Sequence, residues 1–218
     1  MDTLCPIAMA EQTSTTDESF RPDNTAMLLV DYQTGVLQGV QTQDPTALKN
    51  KVVALANVAK LYDLPVILTT ADRNGPLGPL LPELEELFPE TEIIDRSAVN
   101  AWDDPRVVEA VEETGRENLI IGGISMEVCV TFPAVSASLD GYNVQTVLDA
   151  TAAINRLGEE AALWRMQDAG VTPTTYNAIA SELLHDWANE EGNDQAMQFA
   201  EFWAPYGYMV DSHQNARG

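Results

Sequence analysis

The stretch "GGISMEVCVTFPA", residues 122 to 134, decides the fold. It lies between "ENLIIGG" (117–123), a short apolar run closed by two glycines, and "EVCVTFPAVSASLDG" (127–141), whose apolar residues recur at helical spacing and stop at Gly141. A continuous apolar run of that length reads as a strand buried on both faces, as in a parallel sheet. The segment after it reads as a helix ended by glycine. Cys129 therefore falls in the first turn of a helix leaving the carboxyl end of a strand, where open α/β sheets place ligands and chemistry. A free cysteine is also a common small buried hydrophobe, and position alone weights the two readings equally.

The same alternation extends outward in both directions. "AMLLVD" is a buried strand, and "DPTALKNKVVALANVAKLYDL" an amphipathic helix with Asp44 as its cap and Pro45 at its first position. "PVILTT" is a second strand, followed by the loop "ADRNGPLGP" and a short helix "LPELEELF". "TEIID" and "DDPRVVEAVEETG" supply a third strand and helix ahead of the Cys129 unit. "YNVQTVLDA", "LGEEAALWRMQDAG", "VTPTTY" and "AIASELLHDWANE" follow as strand, helix, strand and helix. Six strands alternating with helices specify a parallel sheet covered on both faces, with no internal repeat and no second domain. Residues 1–24 are polar and aperiodic, and read as a flexible arm. Residues 25–190 form the domain, and the aromatic-rich extension 191–218 is expected to pack against something, an oligomer interface being the expected place.

Composition narrows the function. The 218 residues carry 34 Asp plus Glu against 11 Lys plus Arg, a formal net charge of -23. A field of that sign repels nucleic acid and anionic membranes, so neither is expected as a partner. The acids are spread along the chain, which suits a solvated surface in high salt where repulsion is screened; an acidic protein from an ordinary habitat has the same composition. Two cysteines do not make a disulfide framework. No basic start precedes an apolar run, so a cytoplasmic, reduced protein is expected.

Elimination narrows the chemistry. The two histidines, His185 and His213, lie on a late helix and in the terminal tail, so no Ser-His-Asp or Cys-His pair is in prospect. No metal is expected, since no cluster has zinc-ligand spacing, and neither glycine-rich nucleotide fingerprint occurs. The groups left at strand carboxyl ends are Asp31, Thr69, Thr70, Asp95, Arg96, Cys129 and Asp149. A partly desolvated carboxylate can act as base for a thiol. Asp31 could equally be a loop cap, and Arg96 a structural ion pair.

The set "LLVDYQTG", "ILTTADRNGPLGPLLPEL", "IDRSAVNAWDDP" and "GGISMEVCVTFPAVSASLDGYNVQTVLDATA" resembles the isochorismatase-like cysteine hydrolase superfamily, and within it the YcaC-like branch. The likeness runs from about residue 25 to about residue 190. It implies a three-layer α/β/α sandwich on a six-stranded parallel sheet, and an Asp-Lys-Cys triad falling on Asp31, Arg96 and Cys129, arginine at the middle position being similar to the YcaC-like branch. It also implies a cis peptide at Ile124–Ser125, and an oxyanion hole from the N–H groups of Ser125 and Cys129, with the helix end favouring thiolate. A homo-oligomer, tetramer or octamer, is implied as well. Relatives usually carry threonine at the position of Met126, and often valine or alanine at that of Ser125. Metal-binding nicotinamidases of the superfamily use an Asp-x-His that "TTADRNGP" lacks, and true isochorismatases work without the cysteine.

The expectation is a cofactor-free hydrolase of a small amide-like substrate, with Cys129 as nucleophile, Asp31 as base then acid, and Arg96 as electrostatic support. Thr70, Asn100, Trp102 and Phe132 are expected to line the pocket, Trp102 being equally suited to core packing. The contrasting expectation is a redox-responsive thiol protein or small-ligand binder on the same fold.

Overall fold

The computed structural model describes residues 19–188 and 192–217. The chain runs β1 (Thr25–Val30), α1 (Thr34–Gln38), α2 (Pro45–Leu61), β2 (Val66–Ala71), α3 (Pro82–Leu87), β3 (Ile93–Arg96), α4 (Pro105–Glu113), β4 (Asn118–Gly123), α5 (Thr131–Leu139), β5 (Asn143–Val147), α6 (Arg156–Asp168), β6 (Thr172–Thr174), α7 (Tyr176–Leu184), α8 (Gly192–Phe202) and α9 (Ala204–Arg217). The six strands form one parallel sheet in the order β3-β2-β1-β4-β5-β6. The first three strands build outward from β1, and β4 then returns to its other side. That reversal leaves a crevice between the carboxyl ends of β1 and β4, the place where open α/β sheets hold ligands.

Each face of the sheet has its own core. Met27 and Leu29 of β1 pack with Leu48, Val52 and Leu55 of α2 and with Ile179 and Leu183 of α7. Ala26, Leu28 and Val30, alternating with them, pack with Val107 and Val111 of α4, Ala134 and Ala137 of α5, and Ala162 and Met166 of α6. A strand buried on both faces has no polar alternation to show, which is why β1 and β4 read as unbroken apolar runs. The result is the three-layer α/β/α sandwich expected from the sequence.

The helix starts follow their capping chemistry. Asp44 and Asp104 accept hydrogen bonds from Ala47 N–H and Arg106 N–H, each with proline at the first helical position. The glycine pair ending β4 has a packing reason. A Cβ on Gly123 would stand 2.3 Å from the Val30 carbonyl oxygen, and one on Gly122 2.4 Å from the Tyr32 hydroxyl. Tyr32, fully buried, uses that room to donate to the Ala150 carbonyl at 2.7 Å.

Two boundaries differ from the sequence reading. The expected arm over 1–24 is attached over its last six residues: Phe20 is buried in the α2/α7 core, its N–H donates to Glu182 Oε1 at 3.2 Å, and Asn118 Nδ2 donates to the Ser19 carbonyl. One aromatic ring is enough to seat a polar segment. Residues 1–18 of that arm lie outside the described residues. The closing helix expected over 178–190 ends at Leu184, where His185 takes φ of 60°. The extension forms α8 and α9 and packs on its own chain, with Phe199 buried against Phe202, Trp203 and Tyr206.

If Phe20 seats the arm, Phe20→Ala will lower the unfolding free energy by about 3 kcal/mol, the low end for a buried Phe→Ala change. Urea denaturation in high salt reads this as a lower midpoint with an unchanged slope. A midpoint within error of the parent would detach the arm from the fold.

Candidate functional site

Asp31 follows β1 and faces the crevice with φ of 53°, a left-handed conformation that aspartate tolerates better than most residues. Its N–H donates to the Thr69 carbonyl at 3.1 Å, so the chain stays in the sheet while the side chain turns inward. Arg96 ends β3, two strands away. Its Nη2 donates to Asp31 Oδ2 at 2.6 Å, across the end of β2, with both side chains almost wholly buried. Nη1 donates to the carbonyls of Ala98 and Val99, the latter at 3.1 Å. Asp31 Oδ1 and Arg96 Nε accept or donate no conventional hydrogen bond among the described residues.

Cys129 approaches from the other side of the crevice. The Ile124–Ser125 peptide is cis, and the chain then makes a π-helical turn, Met126–Val130, before α5 begins at Thr131. Cys129 thus sits in a widened turn ahead of the α-helix, where the sequence reading placed the helix's own first turn. Single π-turns are concentrated at functional sites. Met126 N–H donates to the Ala152 carbonyl, and Thr131 Oγ1 to the Met126 carbonyl at 2.7 Å, which anchor the turn at both ends.

The thiol, the carboxylate and the guanidinium form one electrostatic unit. Burial pushes the Cys129 thiol up to about 12, reinforced by the Asp31 charge and its hydrogen bond, while the Ser125 N–H and then Arg96 pull the other way. Burial also holds the Asp31 carboxyl above the usual carboxylate range, against the pull of Arg96 and of the Cys129 thiol, its remaining partner. The helix end was expected to favour thiolate; here burial beside a carboxylate is the larger influence, outweighs one N–H donor and pushes the thiol up. A thiol set against a buried carboxylate can hand it a proton when an electrophile arrives.

Above Cys129 opens a cavity of about 690 Å³. Its walls come from the loops after β2 and β3: Ala71, Asp72 and Leu77 on one side, Asp95, Ser97, Ala98 and Val99 on another, with Asp104 and Arg106 beyond. None of the four residues expected to line a pocket is on these walls. Thr70 is fully buried and donates to Asp95 Oδ1 at 2.9 Å. Asn100 caps the 3₁₀ turn Ala101–Asp103 by accepting from Trp102 N–H. Trp102 is turned into the α4/α5 core, its Nε1 donating to Asp140 Oδ2 at 2.7 Å and its ring edge-on to Tyr142. Phe132 lies beneath the Arg165 guanidinium of α6, 4.9 Å from the ring centre. Asp149 is also elsewhere, accepting from Tyr176 N–H at the start of α7. The actual wall residues were marked in the sequence only by being loops after strand ends. Among the described residues no group of three His, Cys, Asp or Glu is placed to hold a metal ion, and no helix is long and apolar enough to cross a membrane.

A doubly wound parallel sheet carrying a buried carboxylate, guanidinium and thiol at its switch point defines the class of protein. The sequence profile of the isochorismatase domain matches residues 25–178. The chain is 44% identical over 169 residues to the probable hydrolase YcaC of Escherichia coli, spanning 77% of this chain and 81% of the relative. The crystal structure of Escherichia coli YcaC, described as an octameric hydrolase of unknown specificity, superposes with a TM-score of 0.86 at 40% identity, covering 91% of this chain and 97% of that one. YcaC from Pseudomonas aeruginosa, with hexane-2,5-diol and covalent acrylamide, gives the same TM-score at 38% identity, covering 92% and 100%. The chain belongs to the isochorismatase family of hydrolases.

The sign of the thiol shift gives a pH prediction. The Asp31 charge raises the thiol and the Arg96 charge lowers it. Iodoacetamide alkylation of Cys129 will keep accelerating beyond pH 10, where an ordinary thiol of pKa about 8.5 has levelled off. Asp31→Asn will move that rise to lower pH and Arg96→Met to higher pH. Arg96→Met will also cost about 3–5 kcal/mol of stability, because it strands a buried carboxylate. A plateau below pH 9 in the parent would contradict the buried, carboxylate-facing thiol.

Proposed function

We propose that the protein is a cysteine-dependent hydrolase of a small amide-like substrate, with Asp31, Arg96 and Cys129 acting as one catalytic unit. The observation that carries this reading is that Cys129 shares the floor of an open cavity with a buried, arginine-held carboxylate, that of Asp31. A neutral thiol is a poor nucleophile until a base removes its proton. Asp31, whose basicity burial increases, is the base beside it.

In this reading the Cys129 proton passes to Asp31 as sulfur bonds to the amide carbonyl carbon. The carbonyl oxygen takes the negative charge and is held by backbone N–H groups of the turn, those of Ser125 and Cys129. The intermediate collapses, the C–N bond breaks, and Asp31 returns the proton to the leaving nitrogen. Water then gives a proton to Asp31 while its oxygen bonds to the thioester carbon. Collapse breaks the C–S bond, and the proton returns from Asp31 to sulfur, leaving an acid and an amine. Arg96 stays charged throughout. It fixes the carboxylate and offsets its charge, and is not itself a base.

The raised thiol speaks against the redox alternative, since peroxide-sensing cysteines are low in pKa and accessible. The covalent acrylamide of Pseudomonas aeruginosa YcaC fits a site that admits small amides. The octameric state of the Escherichia coli protein supports assembly here too, a homo-oligomer of at least four chains in molar salt that screens the charge of -23. Light scattering showing a monomer in molar salt would refute the assembly.

For the chemistry, a rapid acid quench during turnover of a cognate amide will reveal an acyl adduct on Cys129. Cys129→Ala will abolish adduct and turnover without unfolding the chain. Asp31→Asn will lower turnover by at least about 100-fold, the lower end for general acid–base catalysis. Turnover surviving in Cys129→Ala would end the nucleophile assignment.

A further inference from the structure

The cavity above Cys129 is unevenly charged. Four carboxylates, of Asp31, Asp72, Asp95 and Asp104, share it with two guanidiniums, of Arg96 and Arg106. Both guanidiniums are already engaged. Arg96 is bound to Asp31 at 2.6 Å, and Arg106 holds Asp104 at 2.7 Å and the Asp95 main-chain carbonyl at 2.8 Å. Among the described residues no cation pairs with Asp72 or Asp95. Asp95 is not free to swing into water, because its Oδ1 accepts from Thr70 Oγ1 at 2.9 Å and from Arg73 N–H at 3.0 Å. Deeper in the same cavity Asp31, its side chain 1% exposed, pairs with Arg96 and faces the Cys129 thiol. Between these charges the wall is apolar, from Ala71, Leu77, Ala98 and Val99.

Resting on the hydrolase reading, we infer that the site selects an amide bearing a cationic group on a short apolar body, and that Asp95 is a specificity-determining residue for that group. A cation entering the cavity meets two carboxylates, Asp72 and Asp95, that no direct ion pair neutralises, the Arg106 guanidinium acting on Asp95 only from beyond its own pair with Asp104. A substrate carboxylate entering the same space meets like charge in a partly desolvated setting, and neither arginine is free to receive it. Asp95 is the stronger determinant of the two, because it is half-buried and held by two donors, whereas Asp72 stands in solvent. The contrasting account is that Asp72 and Asp95 belong to the general acidic surface and merely add to the field of the whole chain.

Three acrylamides distinguish the accounts: acrylamide itself, an analogue ending in a trimethylammonium group, and one ending in a carboxylate. In each the thiol adds across the double bond, sulfur bonding to the terminal carbon while the thiol proton ends on the carbon next to the carbonyl, and nothing leaves. Labelling of Cys129 in the full chain is followed by peptide mass spectrometry, with rates divided by those of 2-mercaptoethanol. The cationic probe is expected to label at least about tenfold faster than the anionic one, with the margin narrowing as salt rises. Asp95→Asn, which keeps an acceptor for Thr70 and Arg73, will reduce the margin by about threefold or more. Asp72→Asn, at an exposed position, will reduce it less, and Asp168→Asn on the remote end of α6 will leave it unchanged. Equal labelling by the two charged probes overturns the inference, as does a margin that Asp168→Asn lowers as much as Asp95→Asn. Labelling needs only a reachable thiol, so a protein that shows this selectivity without hydrolysing amides would sink the hydrolase reading alone. One that hydrolyses amides without selectivity would sink this inference alone.

Discussion

The buried pair between Asp31 and Arg96 is the constraint on which the site depends. The two residues lie at the ends of strands separated by β2, in register such that Arg96 pairs with Ala71. The guanidinium must therefore pass over the end of β2 to reach the carboxylate at 2.6 Å. Desolvating two charges costs several kcal/mol each, recovered only if geometry is good and the remaining donors are used. Arg96 uses them on the carbonyls of Ala98 and Val99. Those bonds fix the loop that forms one wall of the cavity, so the same interaction that sets the carboxylate also shapes the space above the thiol.

The thiol is placed by a different device. The π-turn from Met126 to Val130 lets the chain change direction between a fully buried strand and a fully buried helix face, with Gly123 against the Val30 carbonyl as the point of closest approach. Cys129 is half-buried, and the charge that acts on its thiol most strongly is that of Asp31. Burial and the Asp31 charge both work against the thiolate, the opposite of a sulfur held ready by a helix end. In the proposed mechanism the sulfur becomes a nucleophile only as its proton passes to Asp31.

Much of this was legible in the sequence. Asp31, Arg96 and Cys129 were among the polar or nucleophilic residues that follow apolar runs, whose ends a parallel sheet brings to one edge, and the family resemblance marked these three out from Thr69, Thr70, Asp95 and Asp149. The strand order followed less from local pattern than from the reversal after β3, which the alternation of elements permits but does not fix. The walls of the cavity above Cys129 were not legible because they depend on which way a loop side chain turns. Asn100 caps a turn and so directs Trp102 into the core toward Asp140, while the α5 face that carries Phe132 is met by Arg165 of α6. Periodicity also cannot distinguish an α-turn from a π-turn over five residues, so the widened turn at Cys129 was invisible. The helices α8 and α9 lacked recognisable caps and showed only as aromatic content.

The central claim is that amide hydrolysis passes through an acyl group on Cys129, and partitioning measures it most directly. An amide and an ester of the same acid, each turned over in the presence of hydroxylamine, share their second half-reaction if both acylate the same sulfur. The account predicts the same ratio of hydroxamate to free acid from both substrates at every hydroxylamine concentration. Ratios that differ between the two, or the absence of hydroxamate from either, would contradict a common acyl-enzyme and with it the role given to Cys129.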